Sequence, residues 1–301
     1  MNENAQAMVM ASLAADSLAL GVHWIYDTQV LESDFGLVDR LLPPKPGSYH
    51  STKKKGEFTH YGDQSLVLLK SVAHSGGFDP NDFFDLWQEL FREYNGYIDG
   101  ATRATLENIA QGKGPYNSGS GSDDIAPASR IPSLVLSLGD DPDQLIEAVR
   151  AQTIMTHNDP DTIDSAAFFA LVSLECLGGA APSKAVLGIA ETRFKDSPIA
   201  QWTRQGLEAA AEDSVTAVGR LGQSCHTGDA FAGIIQIIAR YEENLSQGIV
   251  AAVMAGGDNA ARASLVAMIL ASARGMDTKT REWFQGLEQK ETILQCLDRL
   301  S

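Results

Sequence analysis

Three features are scarce in this 301-residue chain, and each scarcity excludes something. Cysteine is rare: Cys176, Cys225 and Cys296 are odd in number and irregularly spaced. That excludes a disulfide framework or a zinc-finger pattern and points to a reducing, cytoplasmic setting. Positive charge is also sparse, with 23 Lys and Arg against 39 Asp and Glu, a formal net charge of −16. The only basic run is Lys53-Lys54-Lys55, so the chain as a whole repels nucleic acid, although a local basic pocket for a phosphorylated ligand remains open. Long apolar runs are missing too. None reaches the ~18 uninterrupted apolar residues of a membrane span, and Asp16 interrupts the apolar N-terminal stretch. That stretch has no basic residues before it and reads as a first core helix, not a signal peptide.

What is present is helical periodicity. In the segment from Asn81 to Tyr94 the residues Phe83, Trp87, Leu90, Phe91 and Tyr94 share one helical face, with Asp85, Gln88 and Arg92 largely off it. Asp79-Pro80, Asp141-Pro142 and Asp159-Pro160 each read as a helix start. The Asp caps free N–H groups, and the Pro occupies a position that needs no donor. Gly112, Gly139, Gly178-Gly179 and Gly275 read as helix stops. These signals predict roughly a dozen helices and no strand longer than a few residues, an all-α chain with no dividing linker over 1–301. The first helix and a late one (ARASLVAMILASARG) are rich in Ala and Ser, which suits close packing at the centre. Two irregular stretches stand out, Asp27 to about His60 and Gly112 to Asp124; loops of such length are usually functional or disordered.

Polar residues collect at helix starts: Asp16 to Asp27, His60 to Ser65, Asn117 to Arg130, Thr156 to Asp159, and Gly256-Gly257-Asp258-Asn259. Glycine beside a carboxylate at such a place has two readings. Asp63 and Asp258 either cap their own helices, or hold a cation or ligand. No spacing matches a Walker loop, an EF-hand, a zinc motif or a nucleophile elbow.

Taken in order, these segments resemble the ADP-ribosylglycohydrolase family over nearly the whole chain. Asp16 lies where the family has the Asp of its opening Gly-Asp-x-x-Gly helix. HYGDQSLVLL resembles Thr-Asp-Asp-Thr with its apolar helix, and SGSDDIAPASRIPSL resembles the loop ending in Arg-Ile-(Ala)-Pro. THNDPDTIDSAAFFALV resembles the Thr-His-Ser helix, and AGGDNAARASLVAMILASARG resembles Gly-Gly-Asp-Thr-Asp-Thr with its terminal core helix. The resemblance implies a large, roughly orthogonal helical bundle with a central cleft. There, two magnesium ions assist hydrolysis of a glycosidic bond in ADP-ribose or an ADP-ribosylated substrate.

Carried over residue by residue, it implies a centre at Asp63 and Asp258, with His23 standing where the family often has Glu. Ligand contacts would come from Ser120, Ser122, Asp123, Arg130, His157 and Asn259. Asp124 belongs to the same loop, which reads equally as a phosphate or ribose contact and as a solvated loop. Tyr61, Gly62, Ala260 and Ala261 stand where oxygen ligands are expected. Magnesium wants six oxygens around each ion, and two carboxylates do not hold a pair without help; His23, Asp63 and Asp258 form a donor set for a single divalent transition metal instead. Alternatively, Arg262 places a guanidinium where a cation sat and pairs with the carboxylates. Trp24 and Tyr26 are aromatics that stack on an adenine or pack on the core. The Gly-Asp-Gln and Gly-Gly-Asp-Asn variants resemble the branch related to jellyfish J1-crystallins, which keeps a non-catalytic binding or structural role open.

Overall fold

In the computed structural model, which describes residues 3–300, the chain is all-α: seventeen α-helices and one 3-10 turn, with no β-strand among the described residues. Two isolated bridges, Ser120 with His157 and Asp124 with His226, are the only extended pairings found there. There are more helices than periodicity predicts because several are too short to show a period. Ala126–Ser129, Pro132–Leu138 and Thr28–Phe35 are examples, the last lying inside a stretch expected to be irregular.

Two helices form the centre. Glu3–Ala19 and Asn259–Arg274 pack against each other more extensively than any other pair, and every residue from Asn259 to Ser272 is buried. Alanine and serine at the interface let the backbones approach. The Ser12 hydroxyl then donates to the Ser264 carbonyl and the Ser264 hydroxyl to the Ser12 carbonyl, both at 3.2 Å. A helix buried on all sides must satisfy its polar groups internally, and this reciprocal pair does so. By length and composition Glu3–Val22 would also suffice to cross a membrane, but its apolar window is 89% buried inside the fold.

The three Asp-Pro pairs start helices as expected: Asp79, Asp141 and Asp159 each accept a first-turn N–H. Three of the four glycine stops adopt left-handed φ at Gly112, Gly179 and Gly275, whereas Gly139 keeps φ −61. Gly139 answers instead to crowding, since a Cβ there would lie 2.7 Å from the Val135 carbonyl oxygen. In Pro80–Arg92, Phe83 and Trp87 are fully buried while Leu90 and Phe91 are partly so; Tyr94 falls past the helix end.

Candidate active site

The site forms where the first helix, the His60–Ser75 helix and the Asn259–Arg274 helix meet. After the turn Leu20–Val22, Trp24 takes φ 65, the only positive φ outside glycine among the described residues. Such a conformation costs about 1–3 kcal/mol and persists only where neighbours enforce it. Here the enforcement is a backbone clasp: Trp24 N–H donates to the Gly257 carbonyl at 3.1 Å, and Gly257 N–H donates to the Ile25 carbonyl at 2.9 Å. Gly257 must be glycine, because it has φ 65 and a Cβ would lie 2.2 Å from the Gln223 carbonyl oxygen. The clasp sets His23 beside Asp258, with His23 Nε2 3.7 Å from Asp258 Oδ1.

Asn259 orients the imidazole. Its amide NH2 donates to the Val22 and Val253 carbonyls, so its oxygen faces His23 Nδ1 at 3.0 Å. Nδ1 therefore carries the proton and Nε2 is bare.

A second carboxylate faces Asp258. The Gly/Ser loop is pinned by Ser120 N–H and hydroxyl to the Thr156 carbonyl and by Asn158 N–H to the Ser120 carbonyl, and it delivers Asp124 into the site. One oxygen each of Asp124 and Asp258 and the Cys225 sulfur lie within 4.8 Å of one another. The Tyr61 hydroxyl sits between the two acids, 3.3 Å from Asp258 Oδ2 and 3.5 Å from Asp124 Oδ2. Burial raises both carboxyl pKa values, and the charge of Asp258 raises that of Asp124 further. Two like charges so close cannot both ionise cheaply, so the pair holds a proton in common. Burial and the two acids likewise keep Tyr61 protonated.

A third group consists of imidazoles. His23, His50 and His60 are all buried, and one nitrogen from each lies within 4.8 Å of one from the others. His50 Nε2 is 3.1 Å from His60 Nδ1, and His60 Nε2 is 3.1 Å from Asp99 Oδ2. Asp99 is held in turn as the cap of Gly100–Ala110, its other oxygen accepting Thr102 N–H. Burial first, then the neighbouring rings, push His50 down to about 3 and His23 well below its usual value, so both are neutral. Trp24, Tyr49 and Tyr97 lie over these rings in mutual edge contacts, with Trp24 stacked on His23 at 4.4 Å. Tyr49 and Tyr26 are largely exposed and form the outer rim.

The structure brings together His23, Asp258 and Asn259 from the sequence expectation but sorts Asp63 into a different contact set. Asp63 pairs with Lys53 Nζ and accepts from the Tyr94 hydroxyl. Residues two apart on a helix point about 200° apart, so the residue of this helix start that faces Asp258 is Tyr61. Nor is Asp63 the cap of its helix; Thr59 is, and Asp16 braces that cap by accepting from Thr59 N–H, the Thr59 hydroxyl and Gly62 N–H.

Asp123 points outward to an exposed pair with His226, and its neighbour Asp124 takes the inner position. The Ser120 hydroxyl is spent on the Thr156 carbonyl, and the Ser122 hydroxyl accepts Asp124 N–H. Arg130 is a buried brace between Gln64 and Thr156, and His157 Nδ1 meets the Thr156 hydroxyl. Arg262 does not pair directly with the carboxylates. Its guanidinium binds the Ala252 and Gly256 carbonyls, supporting the Gly-Gly-Asp loop from beneath. Tyr61, His60 and Asp124 were reachable from the polar helix starts, whereas nothing in the sequence marked His50 or Asp99.

These donors fit a magnesium pair poorly: even with water completing much of each six-oxygen shell, only Asp124, Asp258 and the Tyr61 hydroxyl are gathered here to hold two ions, and Ala260 and Ala261 offer no oxygen ligand.

The family model for ADP-ribosylglycohydrolase matches residues 1–301, and the chain belongs to that family. It is 24% identical to crystallin J1A of Tripedalia cystophora, over 99% of this chain and 96% of the crystallin. It is 23% identical to an uncharacterized protein of Archaeoglobus fulgidus, over 100% of this chain and 96% of that protein. A solved structure titled an ADP-ribosylglycohydrolase-related protein complex superposes with TM-score 0.76 at 22% identity, covering 99% of this chain and 98% of that one. The identities mark a divergent member.

Proposed function

We propose that the chain hydrolyses a glycosidic bond of an ADP-ribose-like or ADP-ribosylated ligand at the Asp124–Asp258 pair. The observation that carries this is the pair itself: two buried carboxyls with oxygens within 4.8 Å and the Tyr61 hydroxyl between them, where burial and mutual repulsion favour one proton on the pair. In that state one carboxyl is an acid that protonates the departing group. The other is a carboxylate that attacks the anomeric carbon or takes a proton from the attacking water. Such close spacing leaves no room for a water between the acids and favours retention of configuration, for which carboxyls stand about 5–5.5 Å apart. Tyr26 at the rim provides a face on which an adenine stacks, whereas Trp24 is already packed on His23 and against Tyr49 and Tyr97. Ser120, Ser122, Asp123, Arg130 and His157 support the ligand through the loop they hold in place, not by direct contact. The three free thiols support a cytoplasmic setting.

The test is release of ADP-ribose from ADP-ribosylated arginine and serine peptides, with Asp258→Asn and Asp124→Asn compared to wild type. Loss of about 10²–10⁴-fold in either variant supports the acid–base role. No release by the wild-type chain sinks it and favours the second reading, a non-catalytic binding or structural protein. That reading is supported by the crystallin relatives and by the absent magnesium ligands.

A further inference from the structure

Beside the acid pair lies a set of imidazoles that hydrolysis by two carboxyls does not use. His23 Nε2 and Asp258 Oδ1 are both buried and without a hydrogen-bond partner, and they face each other at 3.7 Å. Asn259 fixes the proton of His23 on Nδ1, so the nitrogen turned to Asp258 presents a lone pair to a carboxylate oxygen. Two buried lone pairs in opposition are unfavourable unless a proton or a metal ion lies between them.

We propose that His23, His50 and His60, with one nitrogen of each within 4.8 Å of the others, bind one divalent transition-metal ion of the zinc class and leave its fourth position to an oxygen ligand such as water. In a tetrahedral site with metal–nitrogen bonds of about 2.0–2.1 Å, neighbouring donors stand about 3.3 Å apart. The His50 Nε2 to His60 Nδ1 separation of 3.1 Å, also a hydrogen-bond distance, lies close to that edge, and one nitrogen from each of the three rings lies within 4.8 Å of the others. Two of the three far nitrogens face a fixed polar group, as a metal site requires. His23 Nδ1 is held by Asn259, and His60 Nε2 faces Asp99, whose position is set by its own helix cap. Imidazole nitrogen selects zinc, copper, nickel or iron over magnesium, so this ion is chemically distinct from the family's pair. It differs too from the His23, Asp63, Asp258 set, because His50 and His60 take the part given there to Asp63 and Asp258. The inference does not depend on bond cleavage: a non-catalytic chain would bind the ion equally.

The experiment is a titration of metal-stripped full-length protein with zinc by calorimetry, and with cobalt(II) followed by its visible absorption. Elemental analysis gives the stoichiometry, and X-ray absorption on the zinc form identifies the donors. One ion per chain, tetrahedral cobalt bands and nitrogen and oxygen donors without sulfur are expected. His50→Ala, a loop position, should weaken binding at least about 100-fold, and Asp99→Asn, which keeps all three imidazoles, about 10–100-fold. Cys225→Ser should bind as wild type does. Excess magnesium should not compete. Absence of stoichiometric zinc binding overturns the proposal, as does undiminished binding by His50→Ala. So does sulfur in the donor shell together with loss in Cys225→Ser, which would move the ion to Asp124, Cys225 and Asp258. The donor analysis needs only wild-type protein, so it decides the matter even where a variant does not fold.

Discussion

At the scale of single residues, the site depends on small displacements along the chain. Asp124 faces Asp258 while Asp123 next to it faces solvent, and Tyr61 reaches the acids while Asp63 two positions later pairs with Lys53. Tyr61→Phe removes the one hydroxyl placed between the acids. ADP-ribose release should fall by about 100-fold, while unfolding free energy changes by about 1 kcal/mol, as read from denaturant titration. Gly62 presents a different constraint, since a Cβ there would lie 2.3 Å from Asp16 Oδ2. Gly62→Ala should therefore cost about 1–3 kcal/mol through overpacking, measured as a lowered midpoint of thermal unfolding. An unchanged midpoint would mean that Asp16 can move aside.

At the scale of elements, the start of the His60–Ser75 helix is secured by a buried acid. Burial raises the Asp16 carboxyl from its ordinary 3.8 to about 6, against the opposing effect of its bonds from Thr59. Between those values the folded chain holds a proton that the unfolded chain has released. The stability contributed by this group is thus fully present below the unfolded value and is lost as pH rises through about 6. For a shift of this size the loss is about 3 kcal/mol. Urea unfolding across that range should show a decline that Asp16→Asn flattens; an equal decline in both proteins would assign it elsewhere. The central helix pair makes a second prediction. Ser264 faces Ser12 of the first helix across a reciprocal hydrogen-bonded contact, so Ser264→Val both adds bulk there and removes the hydroxyl given to Ser12. A destabilisation of about 1–3 kcal/mol is expected in the same assay.

At the scale of the whole molecule, the acidic balance and the buried first helix decide what the protein meets. With a net charge of −16, it should show no retained complex with duplex DNA in a gel-shift assay at low salt, where electrostatic attraction is strongest. The helix Glu3–Ala19 is apolar because it is a core element, its partner being Asn259–Arg274 at the other end of the sequence. Segments far apart in the chain thus supply His23 and Asp258, and the Trp24–Gly257 clasp joins them.

The sequence by itself determined the helical class, the three Asp-Pro starts, the small-residue central helices and the family resemblance. Only the resemblance, carried over residue by residue, put His23, Asp258 and Asn259 within one site. The helical class, the Asp-Pro starts and the central helices are legible because helix periodicity, capping and close packing are local rules that repeat within one or two turns. Only the tertiary structure decided which way Asp63 and Tyr61 turn, that Asp124 replaces Asp123, and that Arg262 serves backbone carbonyls. It also brought His50, from a stretch without periodicity, against His23 and His60. The physical reason is that a ligand set is a matter of direction in space. A helix turns by about 100° per residue, and a loop is held by bonds to distant backbone, so neither the facing side chain nor its partner is written in spacing.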